Sequence, residues 1–214
     1  IIEVKLGENQ EKNMTVLFCD IRSFTTLSEQ MTPPENFAFI NNYLGRVSPE
    51  IRKNNGFIDK YIGDAVMALF PTCPDDAVRA AIDMQKAVNL YNQQRQNSGL
   101  VPIAIGIGLH AGNLMLGTIG EQERMESTVI ADAVNLASRL EGLTKVYGSG
   151  ILVSESIIDR LIEPEQYKYR FVDRVTVKGK TTAVSVFEIY DTETEEMVKL
   201  KQQTLEIFQE GLDL

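Results

Sequence analysis

Tryptophan is absent from this 214-residue sequence, histidine occurs once and cysteine twice. The two cysteines, Cys19 and Cys73, make neither a disulfide framework nor a zinc site, and they favour a reducing compartment, the cytoplasm. Cys19 lies in the apolar run MTVLFC and is expected to be a buried thiol. His110 sits among glycines in a strand-like stretch and is expected to be structural. There is no P-loop, no protein-kinase signature, no Rossmann glycine fingerprint and no paired-histidine metalloprotease helix. A net charge of −9 argues against general nucleic-acid binding, which needs a basic surface. It leaves room for a small anionic ligand held by a few cations and metal. The chain opens IIEVKLG, with neither Met nor a basic stretch, so no secretory signal is read there. A longer parent protein is expected, with regulatory domains and room for membrane attachment.

One stretch imitates a membrane span. Residues 101–120 contain no Asp, Glu, Lys or Arg, which meets the length requirement. Five glycines, a proline, a histidine and an asparagine interrupt it. It reads better as two strands around a Gly112-Asn113 turn. The rest is 43% hydrophobic and 24% charged, a balance that lets one large domain bury a normal core.

Residues 1–13 are polar and read as a leader. The run 14–19 reads as a buried strand ending at Asp20. A helical region over 23–54 is interrupted near Pro33-Pro34, with Phe37, Ile40, Leu44, Val47 and Ile51 at helical spacing. The stretch FIDKYIGDAVMALF (57–70) reads as a tight hairpin. A helix over 75–96 carries Ala77, Ala81, Met84, Val88 and Tyr91 on one stripe. After 102–120 come a short strand at 127–130, a helix over 132–147, a strand with a short helix, and strands near 167–177 and 183–190. The order is β-α-ββ-α-β with C-terminal β additions. It predicts an α+β fold, a ferredoxin-like βαββαβ core with one mixed sheet and helices on one face. The main domain is placed at 14–192. The segment 193–214 is expected to be a polar helical tail, a connection or a dimer contact rather than core.

Charges in the apolar hairpin call for a reason, since charged side chains are costly in a core unless paired or bound. Asp20 ends a strand just before IRSFTTLSE, where Thr26 and Glu29 have capping-box spacing. Amides at a helix start can hold phosphate, and a carboxylate beside them can hold the metal that phosphate brings. Asp64 follows Gly63 at the hairpin turn. If the hairpin pairs beside the first strand, the two aspartates come close enough to bridge hard cations, which suits Mg²⁺. The plainer alternative is that Asp20 caps the next helix and Asp64 shapes the turn. On the 132–147 helix, Asn135 and Arg139 are four apart and share a face. They form either a solvated face, with Arg139 paired to Glu141 or Glu126, or a pair that meets charge on a phosphoryl group. VKGK (177–180) sets two lysines around a glycine.

Together FCDIRSFT, DKYIGDAVMALF, IGIGLHAG and TVIADAVNLASRLE resemble the catalytic domain of class III nucleotidyl cyclases, in the family's order and over about residues 14–190. The likeness is greatest to bacterial and soluble bicarbonate-responsive adenylyl cyclases. The resemblance implies an enzyme converting ATP to 3′,5′-cyclic AMP and pyrophosphate with two Mg²⁺ or Mn²⁺ ions. It puts the metal ligands at Asp20, Asp64 and the Ile21 carbonyl, and the phosphate-binding amides at Phe24 and Thr25. It puts the transition-state pair at Asn135 and Arg139, the purine contacts at Lys60 and Thr128, and a phosphate lysine at Lys178, with Lys180 as the alternative. Lysine at position 60 is the adenine-type choice. Thr128 stands where most adenylyl cyclases carry Asp, and a hydroxyl can accept from adenine or donate to guanine. Thr at that place also resembles the bicarbonate-responsive enzymes, so bicarbonate stimulation is a hypothesis. In the family the metal residues and the purine and transition-state residues come from different subunits, which implies a head-to-tail homodimer. The rival readings are a guanylyl cyclase, a diguanylate cyclase, against which the lack of a GGDEF-like stretch argues, and an inactive dimerisation or nucleotide-sensing module. Asp59 has no matching role and is expected to be a solvated or capping charge.

Overall fold

The computed structural model describes residues 9–121, 124–176 and 183–212. In chain order the elements begin with β1 (Asn9–Ile21), α1 (Phe24–Ser28), α2 (Pro33–Lys53), β2 (Phe57–Ile62), β3 (Ala65–Phe70), α3 (Pro74–Asn97) and β4 (Ile105–Glu121). They continue with β5 (Arg124–Ile130), α4 (Asp132–Val146), β6 (Ile151–Ser154), α5 (Glu155–Ile158), β7 (Tyr169–Thr176), β8 (Ala183–Ile189), α6 (Glu195–Gln203) and α7 (Leu205–Leu212). One sheet runs β2-β3-β1-β4-β6-β8-β7, with β5 pairing to β4. The β4–β6 pair is parallel and the other pairs are antiparallel, so the sheet is mixed. The first four strands have the ferredoxin-like order, with β1 central.

Alternation along β1 decides how the faces are covered. Leu17, Cys19 and Ile21 point to one face, where Tyr43, Val47 and Ile51 of α2 and Ala77, Ala81 and Met84 of α3 bury them. Met14 and Val16 point to the other face and join Met67, Leu69 and Leu114 beneath Ala133 and Ala137 of α4. The expected arrangement with every helix on one face is therefore corrected. The central strands are apolar on both sides, and both sides need cover. Cys19 is fully buried, and that burial pushes its thiol up to about 12, so it is an inert core group.

Three further expectations change. Residues 102–120 are not two strands about a Gly112-Asn113 turn. β4 runs through that point and pairs with β1 without a break, from Gly117 opposite Asn9 to Ile105 opposite Ile21. Gly112 is not among the residues with positive φ. The polar residues 9–13, read as part of a leader, form the first five pairs of that ladder. On α2 the buried row is Phe39, Tyr43, Val47 and Ile51, while Phe37 is 73% exposed. The capping box belongs to Thr32 and Glu35 at the start of α2, where Glu35 Oε2 accepts from the Thr32 N–H at 2.8 Å and its hydroxyl at 2.7 Å. α1 has no side-chain cap, and Ser23 before it is left-handed at φ 54°.

The tail is tied down at its first helix. Lys201 of α6 is buried and pairs with Glu188 of β8 at 2.9 Å, and Glu188 also pairs with Arg170 of β7. No helix among the described residues is long and apolar enough to cross a membrane.

α4 rests directly on glycine. A Cβ at Gly108 would overlap the Ala137 carbonyl and the Glu141 amide, both backbone atoms of α4. Gly108→Ala is therefore expected to lower unfolding free energy by about 1–3 kcal/mol. A Cβ at Gly142, inside α4, would meet nothing within 4 Å, and Gly142→Ala is expected to raise stability by about 0.5–1 kcal/mol. Urea denaturation of the two variants checks this. An alanine tolerated at 108 would mean that α4 does not sit on that strand.

Candidate active site

The site starts at the β2–β3 turn. Ile62 pairs with Ala65, leaving Gly63 and Asp64 as a two-residue loop. Gly63 has φ 65°, the left-handed value a tight hairpin of this kind needs at its first position. β3 pairs with the end of β1, which carries the turn to the end of that strand. There the Ile21 N–H donates to Asp20 Oδ1 at 3.0 Å and to Asp64 Oδ2 at 3.2 Å. Two carboxylates thus converge on one amide. Burial, then a hydrogen bond to Asp20 and its charge, raises Asp64 to about 7. Beside them, the Phe24, Thr25 and Thr26 amides of α1 have no hydrogen-bond acceptor among the described residues, as expected in the first turn of a helix. Phe24 is half-buried and stacks on Phe39 at 6.1 Å, which anchors that turn; Thr25 is exposed.

The donor set fits a hard divalent cation that keeps open positions for phosphate oxygens. It offers two carboxylates and a backbone carbonyl, and no group of three or more His, Cys, Asp or Glu among the described residues forms an all-protein cage.

Lys60 reaches the same sheet face by an irregularity. The β2–β3 register slips between Ile58 and Lys60, so Asp59 is an extra, bulged residue. Ile58 opposes Ala68 on the α2/α3 face, while Lys60 opposes Met67 on the α4 face. Lys60, Met67, Phe18 and Gly108 form one row across four strands, and Asp20 is the next residue of β1 on that face. Asp59 pairs with Lys60 at 3.3 Å.

Asn135 and Arg139 are exposed on α4, and Arg139 makes no ion pair with either aspartate among the described residues. One chain therefore assembles the acidic cluster and leaves the α4 pair facing outward. Thr128 lies on β5 opposite Gly117. Lys178 and Lys180 lie outside the described residues. His110 bonds Ser154 Oγ at 2.7 Å and Ser156 Oγ at 3.1 Å, tying β4 to β6 and α5.

Sequence reasoning missed Arg22 and Glu141. Arg22 Nη1 meets Glu141 Oε1 at 3.4 Å, linking the end of β1 to α4, and its guanidinium lies over Gly106, where a Cβ would overlap it. Burial and the nearby Asp20 raise the Glu141 carboxyl. This bridge holds α4 against the strand that carries Asp20. The signal was available: Arg22 is two residues past Asp20, hence on the same face by alternation. In the sequence Glu141 stands out only as a partner for Arg139.

The family model described as the adenylate and guanylate cyclase catalytic domain matches residues 6–191. An adenylate cyclase of Anabaena cylindrica is 48% identical over 195 residues, 88% of this chain and 39% of that protein. The terminal-differentiation-specific adenylate cyclase of Dictyostelium discoideum is 39% identical over 217 residues, 99% of this chain and 10% of that protein. The crystal structure of the adenylyl cyclase CyaB from P. aeruginosa superposes with a TM-score of 0.76 at 33% identity, over 88% of this chain and 98% of that one. The chain thus spans well under half the length of the curated relatives it matches.

The aspartate pair makes stability depend on pH. In the metal-free fold Asp64 keeps its proton up to about 7, whereas its ordinary value is 3.8. Between those values the folded state binds more protons than the unfolded one, so this group's contribution falls as pH rises through the window. In EDTA, the melting temperature of wild type relative to Asp64→Asn is expected to drop between about pH 4 and about pH 7. Mg²⁺ or Mn²⁺ at neutral pH should restore it for wild type only. A difference that stays flat across that range would show that neither burial nor Asp20 raises Asp64 in the fold.

Proposed function

Because this chain belongs to the adenylate and guanylate cyclase catalytic-domain family, we propose that it converts ATP to 3′,5′-cyclic AMP and pyrophosphate. The observation that carries this reading is the convergence of Asp20 and Asp64 on the Ile21 amide, beside the open amides of α1. Two Mg²⁺ or Mn²⁺ ions held by Asp20, Asp64 and the Ile21 carbonyl would supply a lowered pKa for the ribose 3′-hydroxyl and neutralise the triphosphate.

The chain's own groups do the positioning. The Phe24 and Thr25 amides receive phosphate oxygens. The 3′-oxygen bonds to the α-phosphorus as the bond to the bridging oxygen of pyrophosphate breaks. Arg139 meets the negative charge that builds on the α-phosphate, and Asn135 orients the ribose. Lys60 and Thr128 read the purine edge. Lys178, with Lys180 as the alternative, contacts the terminal phosphates. Thr128 leaves the amino group of adenine less strictly selected than an aspartate would, so GTP is the competing substrate to test.

The exposed position of Asn135 and Arg139, with no ion pair from Arg139 to the aspartates of its own chain among the described residues, supports a head-to-tail homodimer with two sites. Each site would take the acids from one subunit and the α4 pair from the other. The catalytic unit would end near residue 192, with α6 and α7 as a connection to the rest of a longer cytoplasmic chain.

Incubation with Mn²⁺ and either ATP or GTP, followed by separation of products, tests the reaction. Cyclic AMP is the expected product, and its absence from an active, folded preparation overturns the reading. Asp20→Ala and Arg139→Ala are each expected to be inactive alone. Mixed, they should recover about a quarter of wild-type activity, because half the dimers would hold one intact site of two. No recovery on mixing counts against shared sites. Bicarbonate at fixed pH should raise the rate; a flat response removes that part of the proposal.

A further inference from the structure

On the sheet face opposite α4, a cavity of about 460 Å³ opens between the α1–α2 segment and the end of α3. Its walls are mostly apolar: Leu27, Met31, Phe39, Tyr91 and Leu100 line it. Arg95 also lines it and is only 5% exposed. Its Nε donates to the Val101 carbonyl at 2.7 Å, and its guanidinium lies 5.0 Å from the Phe39 ring centroid and 5.5 Å from that of Tyr91. A second guanidinium, Arg46, stands 4.3 Å from the Tyr91 centroid and bonds the neutral Gln94 side chain at 2.8 Å. Arg46 Nε is buried without a partner.

No carboxylate among the described residues lies within ion-pair distance of either arginine. The one carboxylate lining the cavity, Glu35, is held by Thr32 at the start of α2. In a chain of net charge −9, two adjacent cations without counter-ions are unusual. Ring faces offset part of the cost of burying a guanidinium, but a buried charge is best matched by an opposite one.

We propose that this cavity binds an amphipathic carboxylate, with its carboxyl group on Arg95 and its hydrocarbon part against Leu27, Met31 and Leu100. The guanidinium fork matches a carboxylate with two parallel hydrogen bonds. The volume lies in the range of small-ligand sites, and mostly apolar walls with a few polar groups, here Gln30, Glu35, Asn42 and Arg95, are their usual lining. A nucleotide or inorganic phosphate fits poorly, because a hydrated dianion would lose its water against hydrocarbon. The cavity opens on the face opposite α4, and the carboxylate is held by groups that the nucleotide reaction does not use.

Octanoate is the probe, with acetate lacking the tail and octanol lacking the charge. Calorimetric titration of the 214-residue chain should show saturable octanoate binding, with acetate and octanol at least about tenfold weaker. Arg95→Met keeps the bulk and removes the charge, and should weaken octanoate by about tenfold or more. Met31→Trp fills the cavity from its partly buried wall and should block binding while leaving the circular dichroism spectrum unchanged, which covers the case in which the Arg95 variant fails to fold. No saturable binding, octanol binding as well as octanoate, or undiminished binding by folded Met31→Trp each overturns the proposal.

Discussion

Asp20 and Asp64 share one backbone donor, the Ile21 N–H, at the buried end of the central strand. Two carboxylates that close share a proton unless a cation sits between them. Much of the architecture follows from holding them there. β1 must be central, so that the hairpin carrying Asp64 can pair beside it. The hairpin must turn in two residues, which requires the left-handed Gly63. α1 must start just after β1, so that its first amides open next to the acids.

The same constraint explains how α4 is seated. Its backbone lies on Gly108, and Arg22 spans Gly106 to reach Glu141. Alternate positions of β4 are left without side chains, so a helix and an arginine can come against the strand. α4 is thereby held at a set distance from Asp20 while Asn135 and Arg139 stay exposed on it. That exposure is what the proposed sharing of the site between two subunits rests on.

What could be read along the chain depended on how local the cause was. Asp20 stood out because a charge ended an apolar run, and Asp64 because it followed a glycine at a hairpin turn; both features lie within a few residues. The helical stripe of α3 was readable, since Ala77, Ala81, Met84 and Val88 are all buried. On α2 the apolar residues admit two stripes, and packing against the sheet chose Phe39 and Tyr43 over Phe37. The length of β4 was hidden for a different reason. Gly112-Asn113 is a good turn sequence, but β1 supplies hydrogen-bond partners past that point, and an unbroken ladder outweighs the local preference. The polar residues 9–13 gave no strand signal because they gain their pairing only from β4.

Lys60 marks the division. That a lysine and an aspartate lie four residues apart in an apolar hairpin is legible along the chain, because composition and turn chemistry are properties of neighbours. The sequence alone does not say which face the lysine occupies, since simple alternation puts positions 58 and 60 on the same side. Strand pairing in the folded sheet settles the face. The extra residue Asp59 is absorbed as a bulge when β2 pairs with β3, and the slip turns Lys60 toward the face that carries Asp20. Register is a property of two strands together, so one strand's sequence does not contain it.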